Sequence, residues 1–493
     1  MLNFKNVIFS YEAASTLGQI ANTNLAIQEG QVVLICGESG CGKTTITRLI
    51  NGLIPNYYEG KLTGKVEING EKISEKALYE IAPMVGSVFQ NPRSQFFAVD
   101  TNSELAFGCE NMGWPEEKIF KRMDAIVSDF NIQSLMNRSI FALSGGEKQK
   151  IACASAVMLN PKILVLDEPS SNLDLKSIHE LGEVIGLWKR QGKTIIIAEH
   201  RLSYLMGLVD RVLYMDHGKI AQDMMIGEFK ALSNDKIASM GLRSRSPIDF
   251  SQHRKAPILS EKKITMSDFR FFYGSKAILT IDSISIPKGS IVGIVGSNGA
   301  GKTTFARCMC GLERKAPGKI YMDGKVYSGK ERLNLCYMVM QNPSHQLFTE
   351  NVLDEVMLSM DKENEDQLAA EGILQELNLE ELQERHPMSL SGGQQQRVAI
   401  ASAVASGREL MFFDEPTSGL DFRHMEEVAA VLEKLQQKGK TIFLITHDPE
   451  LIQRCCDYFI FMEHGQVKWC DGWSRETENR LNDFFNFENA TIE

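Results

Sequence analysis

The chain has 493 residues, of which 43% are hydrophobic and 24% are charged, and its formal net charge is −10 at pH 7. This length is too great for a single hydrophobic core and predicts two domains of about 200 residues each. The acidic balance argues against nucleic-acid binding, which needs lysine and arginine to neutralise phosphates. The sequence contains no run of about 18 apolar residues, so no membrane span is predicted.

Near the start of the chain, an aromatic residue and a glycine-rich loop predict a nucleotide site. Tyr11 follows a strand-like opening, so its ring is predicted to stack on adenine, with packing against the strand as the alternative. The apolar run Val32–Cys36 then leads into a Gly-x4-Gly-Lys-Thr pattern, whose backbone N–H groups surround phosphate oxygens. The residues predicted to bind ATP there are Gly37, Ser39, Gly40, Cys41, Gly42, Lys43, Thr44 and Thr45.

Two side chains of this loop and the helix after it have expected roles in binding phosphate and Mg²⁺. Lys43 supplies positive charge to the β- and γ-phosphates, and the Thr44 hydroxyl is predicted to bind Mg²⁺. The predicted helix after the loop points its positive N-terminal end at the anion.

Further along the first half, a second glycine pair and an acidic pair follow. Ser144, Gly145 and Gly146 precede a helical pattern, so they predict either a second anion site or a simple cap and turn. Asp167 closes the apolar run Ile163–Leu166, where a carboxylate is costly unless it serves a cation, and it is predicted to bind Mg²⁺. Glu168 is predicted to polarise the attacking water, with a helix N-cap as the alternative.

A histidine completes the set in the first half. His200 follows the apolar run Thr194–Ala198 and is predicted to contact the γ-phosphate. A partly buried structural histidine is the alternative. After this half, residues 234–262 are polar and punctuated by proline, which predicts a linker.

The same residues recur in the same order in the second half. Asp167 and Asp414 lie 247 positions apart, as do His200 and His447, and so tight a register favours duplication of one domain. The predicted ATP-binding residues of this half are Tyr273, Gly296, Asn298, Gly299, Ala300, Gly301, Lys302, Thr303, Thr304, Ser391, Gly392 and Gly393. Thr303 and Asp414 are again predicted to bind Mg²⁺, with Glu415 and His447 as catalytic residues.

Short apolar runs alternate with longer amphipathic stretches in both halves, which predicts two α/β domains, each built on a mostly parallel sheet. The predicted organisation is a first domain (1–233), a linker (234–262), a second domain (263–475) and a C-terminal tail (476–493).

Both halves resemble the ATP-binding cassette (ABC) ATPases. Leu390–Gln394 matches the signature motif of that family, and Leu143–Glu147 is a near match. The resemblance implies a P-loop NTPase fold in which each domain adds an antiparallel β subdomain and a helical subdomain. It also implies Mg²⁺ contacts from Gln90 and Gln341.

In that family two domains pack head-to-tail. The resemblance therefore implies that the halves pair within one chain, Lys43 facing Ser391–Gly393 and Lys302 facing Ser144–Gly146. Glu147 stands where the usual signature has glutamine, but no phosphate ligand is lost, so two active sites are expected.

The segments Gln90–Phe97 and Gln341–Phe348 resemble the extended Q-loop of energy-coupling factor (ECF) ATPases, and Glu104–Gly108 also resembles that subgroup. The resemblance implies import of a vitamin or a transition-metal ion. It further implies two integral-membrane partners, a coupling subunit and a substrate-binding subunit, which would hold the chain at the cytoplasmic face of the cell membrane.

Three other classes of ATPase share these motifs in part. A soluble tandem ABC ATPase acting on ribosomes usually has a long charged linker, and the linker here is short. A fused sugar-importer ATPase would be favoured by degeneracy in one half. A chromosome or DNA-repair ATPase would need a long coiled-coil or zinc insertion, which the sequence lacks.

Overall fold

The computed structural model describes residues 1–12, 19–171, 173–252, 260–360 and 366–486. These residues form two compact units. Unit 1 comprises Met1–Pro247 with Asp421–Arg423, and unit 2 comprises Ile248–Leu420 and His424–Glu493. Residues 253–259 of the predicted linker and 487–493 of the predicted tail lie outside the described residues.

Unit 1 contains two sheets and a set of helices. Its strands are β1 (Leu2–Tyr11), β2 (Ile20–Ile27), β3 (Val32–Cys36), β4 (Gly60–Ile68), β5 (Glu71–Lys72), β6 (Val85–Val88), β7 (Ile163–Asp167), β8 (Thr194–Ala198), β9 (Arg211–Asp216) and β10 (Lys219–Met225). Its helices are α1 (Lys43–Ile50), α2 (Leu53–Asn56), α3 (Leu78–Ile81), α4 (Thr101–Asn111), α5 (Glu116–Asp129), α6 (Gly145–Ala156), α7 (Leu175–Arg190), α8 (Ile226–Ala231) and α9 (Asn234–Ser239).

The core of unit 1 is a six-stranded sheet in the order β10-β9-β3-β8-β7-β6, in which β10 alone runs antiparallel to its neighbour. Strand β3 shows why an apolar run belongs at its centre. Val32 and Leu34 face one buried cluster, and Val33 faces another on the opposite side of the sheet. A strand covered on both faces needs continuous apolar residues rather than alternation. The four-stranded antiparallel sheet β2-β1-β4-β5 forms the second layer.

Unit 2 repeats this architecture. Its strands are β11 (Lys263–Tyr273), β12 (Lys276–Pro287), β13 (Ile291–Val295), β14 (Lys319–Met322), β15 (Lys325–Ser328), β16 (Cys336–Val339), β17 (Leu410–Asp414), β18 (Thr441–Ile445), β19 (Tyr458–Glu463) and β20 (Gln466–Gly472). Its helices are α10 (Lys302–Met309), α11 (Glu331–Leu335), α12 (Val352–Leu358), α13 (Gln367–Glu376), α14 (Gly392–Ala405), α15 (Phe422–Gln437), α16 (Pro449–Cys455) and α17 (Arg475–Phe485).

The six-stranded sheet of unit 2 has the order β16-β17-β18-β13-β19-β20, which is the order of unit 1 read from the other edge. A four-stranded antiparallel sheet, β12-β11-β14-β15, accompanies it. The predicted α/β class, with a mostly parallel sheet, an antiparallel sheet and helices in each half, is confirmed.

The parallel strands bring the predicted chemistry to one edge of each sheet. In unit 1, Ala198 at the end of β8 pairs with Ile35 of β3 on one side and with Asp167 of β7 on the other. In unit 2, Ile445 pairs with Ile294 and Asp414 in the same way. Because parallel strands end together, the loops that follow them form one site per unit.

Part of the predicted linker is ordered. Residues 234–239 form α9, and Ile237 and Met240 join the core of unit 1. Phe250 belongs to unit 2, where it is fully buried and packs against Phe485 of α17, with ring centroids 5.4 Å apart. The domain boundaries remain a prediction. Within the described ranges, no helix is both long and apolar enough to span a bilayer.

Candidate nucleotide sites

The glycine-rich loops lie where the sequence predicts them, between β3 and α1 and between β13 and α10. Gly37 and Gly296 begin these loops with φ values of 150° and 153°. A Cβ on Gly37 would lie 2.3 Å from the Met215 carbonyl oxygen, and one on Gly296 would lie 2.2 Å from that of Met462. Since both the backbone conformation and the close approach exclude a side chain, glycine is required there.

The loop lysines are buried and point back into their own loops. The Nζ of Lys43 donates to the carbonyl oxygens of Gly37 and Glu38, both at 2.9 Å. Lys302 Nζ donates to Gly296 and Ser297 at 2.7 and 2.9 Å. Each ammonium group is therefore fixed inside the cradle of backbone N–H groups, where it can bind phosphate oxygens.

Each predicted Mg²⁺ pair is assembled. Thr44 donates its hydroxyl to Asp167 Oδ1 at 3.1 Å, and Thr303 donates to Asp414 Oδ2 at 2.8 Å. Burial and the neighbouring Glu168 raise the pKa of Asp167 to about 7, and burial likewise raises that of Asp414. Each buried carboxylate is unfavourable until a cation offsets its charge, so the pair fits Mg²⁺.

In unit 1, the predicted catalytic residues meet the predicted Q-loop glutamine. His200 Nε2 lies 3.2 Å from Glu168 Oε1, and Gln90 Nε2 donates to Glu168 Oε2 at 2.6 Å. Burial acts to raise the pKa of Glu168, but the charge of His200 and its contact outweigh burial and hold that pKa below the usual value. Glu168 therefore stays ionised, as a group that accepts a proton from water must.

Unit 2 holds its histidine differently. His447 Nε2 lies 3.3 Å from Lys302 Nζ and 3.2 Å from Asn298 Oδ1, so it reaches the phosphate loop. Its distance to Glu415 Oε1 is 3.8 Å. Gln341, predicted to bind Mg²⁺ like Gln90, is exposed, as Gln90 is.

The backbone at both predicted catalytic glutamates has an unusual conformation that the sequence did not predict. Glu168 has a φ of 44° and Glu415 a φ of 50°, values that residues other than glycine rarely adopt. Their N–H groups still continue the sheet, donating to Ala198 and Ile445 at 2.8 Å. The chain therefore turns sharply directly after the strand, and this places each carboxylate beside the histidine of the neighbouring strand.

The predicted second anion sites are helix starts. Ser144 is the N-cap of α6 and Ser391 the N-cap of α14, and in each the side chain accepts the N–H of the third helical residue. The two glycines after each serine form the first turn, so their N–H groups have no partner within the helix. The motif is therefore a helix cap in both units, and its role as a second anion site stays a prediction.

The two tyrosines predicted to stack on adenine differ in their surroundings. Tyr11 packs edge-on against Phe9 with ring centroids 4.8 Å apart, and its hydroxyl contacts Thr45 Oγ1 at 3.1 Å. Tyr273 is 65% exposed. Thr45 and Thr304, predicted to bind ATP, follow the threonines predicted to bind Mg²⁺ in the first turns of α1 and α10.

Two buried carboxylates were not predicted from the sequence, because one precedes the histidine of its unit along the chain and the other follows it. In unit 1, Glu199 Oε1 accepts the Ser170 N–H at 3.2 Å and Oε2 accepts the His200 N–H at 2.8 Å. In unit 2, Asp448 Oδ2 instead accepts the Thr417 hydroxyl at 2.8 Å. Each carboxylate thus ties the loop carrying the histidine to the loop after the acidic pair, but a comparison of matched positions does not reveal it.

Both halves of the chain resemble known proteins. A family model described as ABC transporter matches residues 20–171 and again 279–418. A candidate ABC transporter ATP-binding protein of Treponema denticola is 46% identical over 492 residues, covering 98% of this chain and 100% of that protein. A Clostridium perfringens protein of the same description is 32% identical, covering 94% of this chain and 89% of that protein.

Among solved structures, the fold resembles that of the archaeal ribosome recycling factor aABCE1, determined in complex with the ribosomal stalk protein aP1. The TM-score is 0.67 at 24% sequence identity, and the match covers 97% of this chain and 92% of that one. At this identity the likeness concerns the fold alone.

Proposed function

Because the chain belongs to the ABC transporter family and carries its ATPase domain twice, we propose that it is the ATP-hydrolysing subunit of an ECF-type importer. The cargo would be a vitamin or a transition-metal ion. Two integral-membrane proteins, a coupling subunit and a substrate-binding subunit, would hold the chain at the cytoplasmic face of the membrane.

The observation that carries this proposal is a matched pair of exposed aromatic residues where the Q-loops end. Phe97 is 74% exposed and Phe348 is 78% exposed. Their backbones are not free to move: Glu104 Oε2 accepts the Phe97 N–H at 2.9 Å, and Glu355 Oε2 accepts the Phe348 N–H at 2.7 Å. A fixed, exposed aromatic residue at the same place in both units fits a surface that receives an apolar segment of a partner.

The residues present fit ATP and Mg²⁺. In each unit, the buried lysine and the glycine-rich loop would hold the β- and γ-phosphates, and the threonine–aspartate pair would hold the cation. Bound Mg²⁺ would supply neutralisation of the charge that develops on the phosphate oxygens. The raised pKa of Asp167 supports this assignment, because burial and the neighbouring Glu168 make its negative charge unfavourable until a cation binds.

Hydrolysis would proceed by orientation of a water molecule and removal of its proton. Glu168 would accept that proton at a carboxylate oxygen, while Gln90 and His200 fix the carboxylate through the contacts at 2.6 and 3.2 Å. Glu415 would do the same in unit 2, where His447 reaches the phosphate loop and would contact the γ-phosphate.

Each ATP would be completed by the signature helix of the other half. On this proposal, Lys43 shares its nucleotide with Ser391–Gly393, and Lys302 shares its nucleotide with Ser144–Gly146. Binding of ATP would close the two halves, and hydrolysis would reopen them. The Q-loops would pass that motion to the membrane partner.

Two rival functions would differ from the proposed one, the first in its partner and the second in its cargo. A soluble tandem ATPase acting on ribosomes would share the fold of aABCE1, which does not by itself favour that function. It is opposed by the net charge of −10, which disfavours contact with nucleic acid. A fused sugar-importer ATPase would share the membrane location and differ in cargo.

Co-purification of the tagged chain from its native cells tests the proposal. We expect an integral-membrane protein to accompany the chain, and Phe97→Ala with Phe348→Ala to release it while ATP binding persists. Phe120→Ala is the matched control, because Phe120 is also exposed, at 53%, but belongs to α5 rather than to the Q-loop. Sedimentation of the chain with ribosomes, without a membrane protein, would establish the rival instead.

A further inference from the structure

The signature helices share one geometry but differ at two charged positions, since Glu147 and Lys148 of α6 stand where α14 has the neutral Gln394 and Gln395. In unit 1, Glu147 Oε2 accepts the Ser144 N–H at 2.7 Å, and Ser144 Oγ accepts the Glu147 N–H at 3.3 Å. In unit 2, Gln394 and Ser391 exchange the same two hydrogen bonds at 3.0 and 3.4 Å. Because the neutral amide caps its helix equally well, the start of α6 does not require the negative charge of Glu147.

That charge is unfavourable for an anion site. The first turn of α6 offers free N–H groups and a positive helix end, which attract an anion, whereas a carboxylate three residues into the helix repels one. An uncompensated negative charge within several ångströms of a bound polyphosphate would weaken binding by about tenfold. Unit 2 has no such charge at the matched position.

Glu147 cannot remove its charge by taking up a proton at neutral pH. Burial acts to raise its pKa, but the Ser144 N–H and the guanidinium of Arg138 outweigh burial and hold the pKa of Glu147 below its usual value. A neighbouring cation must therefore neutralise this carboxylate.

Lys148 directs its Nζ to the Leu143 carbonyl oxygen at 2.7 Å, so the cation that contacts Glu147 directly is Arg138. Its Nη1 lies 2.9 Å from Glu147 Oε1, the carboxylate oxygen that does not contact Ser144. Its backbone is held at the start of α4: the Thr101 N–H donates to the Arg138 carbonyl at 3.1 Å, and the Arg138 N–H donates to Thr101 Oγ1 at 3.3 Å. Thr101 is fully buried, so the guanidinium approaches Glu147 from a rigid base.

We propose that Arg138 is a positioning residue of the nucleotide site to which the signature helix of unit 1 contributes. By pairing with Glu147, it gives the first turn of α6 the electrostatic character that α14 has with Gln394, so that Ser144–Gly146 can bind the γ-phosphate of ATP. The inference rests on the proposed function, since it takes the signature helix as a phosphate site.

ATP titration of the full-length chain in a Glu168→Gln, Glu415→Gln background tests it, because turnover is then removed and calorimetry reports binding alone. Arg138→Ala should weaken one of the two ATP equivalents by about tenfold. The loss should shrink when ionic strength rises from about 0.05 to about 0.5 M, because salt screens the repulsion between Glu147 and the nucleotide. The melting temperature shows whether the variant is folded.

Rescue separates charge compensation from a structural role. Adding Glu147→Gln to Arg138→Ala should restore the affinity, since no carboxylate then needs a partner. The matched control is Arg385→Ala, the residue 247 positions further on, in the unit whose signature helix carries the neutral Gln394, and it should leave ATP binding unchanged. Unchanged affinity in Arg138→Ala, or failure of Glu147→Gln to restore it, would overturn the inference.

A blocking substitution separates failure of this inference from failure of the proposed function. Ser144→Arg places a long side chain in the first turn of α6 and should eliminate one ATP equivalent. If it does so while Arg138→Ala binds normally, only the part assigned to Arg138 is wrong. If Ser144→Arg also leaves both equivalents intact, the signature helix is not a phosphate site and the proposed paired sites fail with it.

Discussion

At the scale of single residues, the acidic pair in each unit combines two opposite electrostatic situations. Asp167 is buried beside another carboxylate, which raises its pKa to about 7, whereas Glu168 faces His200, and its pKa is lowered. Adjacent carboxylates can differ in this way because the turn at Glu168, with its φ of 44°, directs the two side chains to different surroundings. One carboxylate thus awaits a cation, and the other is ready to accept a proton.

The raised pKa of Asp167 predicts a stability effect with a defined sign. Its pKa rises from 3.8 in the unfolded chain to about 7 in the folded one. Above 3.8, ionisation of Asp167 therefore favours the unfolded state, and folded stability is lost progressively until the pH passes about 7. Without nucleotide, Asp167→Asn should raise the free energy of unfolding of unit 1 at pH 8 by about 1–3 kcal/mol.

Thermal melts of the wild type and Asp167→Asn between pH 5 and pH 8 provide the measurement. The difference in melting temperature should narrow towards pH 5. Saturating Mg²⁺ and ATP should reverse the order at pH 8, because only the aspartate binds the cation. Equal melting temperatures at pH 8 without nucleotide would show that the carboxylate carries no such penalty.

At the scale of elements, sequence reasoning succeeds where a pattern repeats and fails where a contact depends on the fold. The runs Ile163–Leu166 and Thr194–Ala198 become β7 and β8 because a strand buried on both faces must be continuously apolar. The glycine-rich loops are also predictable, because the spacing of glycine and lysine along the sequence defines this kind of loop. Glu199 instead accepts an N–H group from a loop that only the tertiary fold brings near, so its role leaves no local signal.

The contact between α4 and the end of the Q-loop predicts a measurable change in local stability. Glu104 is 2% exposed and accepts the N–H groups of both Phe97 and Ala98 at 2.9 Å. Glu104→Ala removes both acceptors, so exchange of these two amide hydrogens should accelerate by at least about tenfold.

Hydrogen–deuterium exchange resolved to peptides covering residues 95–100 gives the readout. Glu104→Gln should retain part of the protection, since its amide oxygen still accepts hydrogen bonds. Glu110→Ala, an exposed position on the same helix, is the control and should exchange like the wild type. If Glu104→Ala also matches the wild type, the loop is held by other contacts.

At the scale of the whole molecule, each unit contains a complete set of the residues that hydrolysis would need. The sets differ in detail: His200 contacts Glu168, whereas His447 contacts Lys302 and Asn298. The two units are therefore similar in fold and unequal in local contacts, so equal turnover at the two sites is not required by their likeness.

Removing the proton acceptors tests whether both units hydrolyse ATP. Glu168→Gln with Glu415→Gln should still bind ATP and lose at least about 100-fold in turnover, because each site then lacks its general base. Each single variant should keep measurable phosphate release from the intact site, and the two residual rates report the inequality. Glu110→Gln serves as the control. A double variant that hydrolyses ATP near the wild-type rate would refute the catalytic assignment.

The buried position of Phe250 against α17 has a consequence for synthesis of the chain. This ring opens unit 2 in sequence, yet the helix that covers it, α17, comes more than 220 residues later. While the ribosome is still producing the intervening residues, the ring stays uncovered, although residues 1–247 of unit 1 have already left the exit tunnel. Chaperones that recognise exposed aromatic residues would therefore meet the nascent chain during this interval, and release from them would coincide with the arrival of residues 475–485.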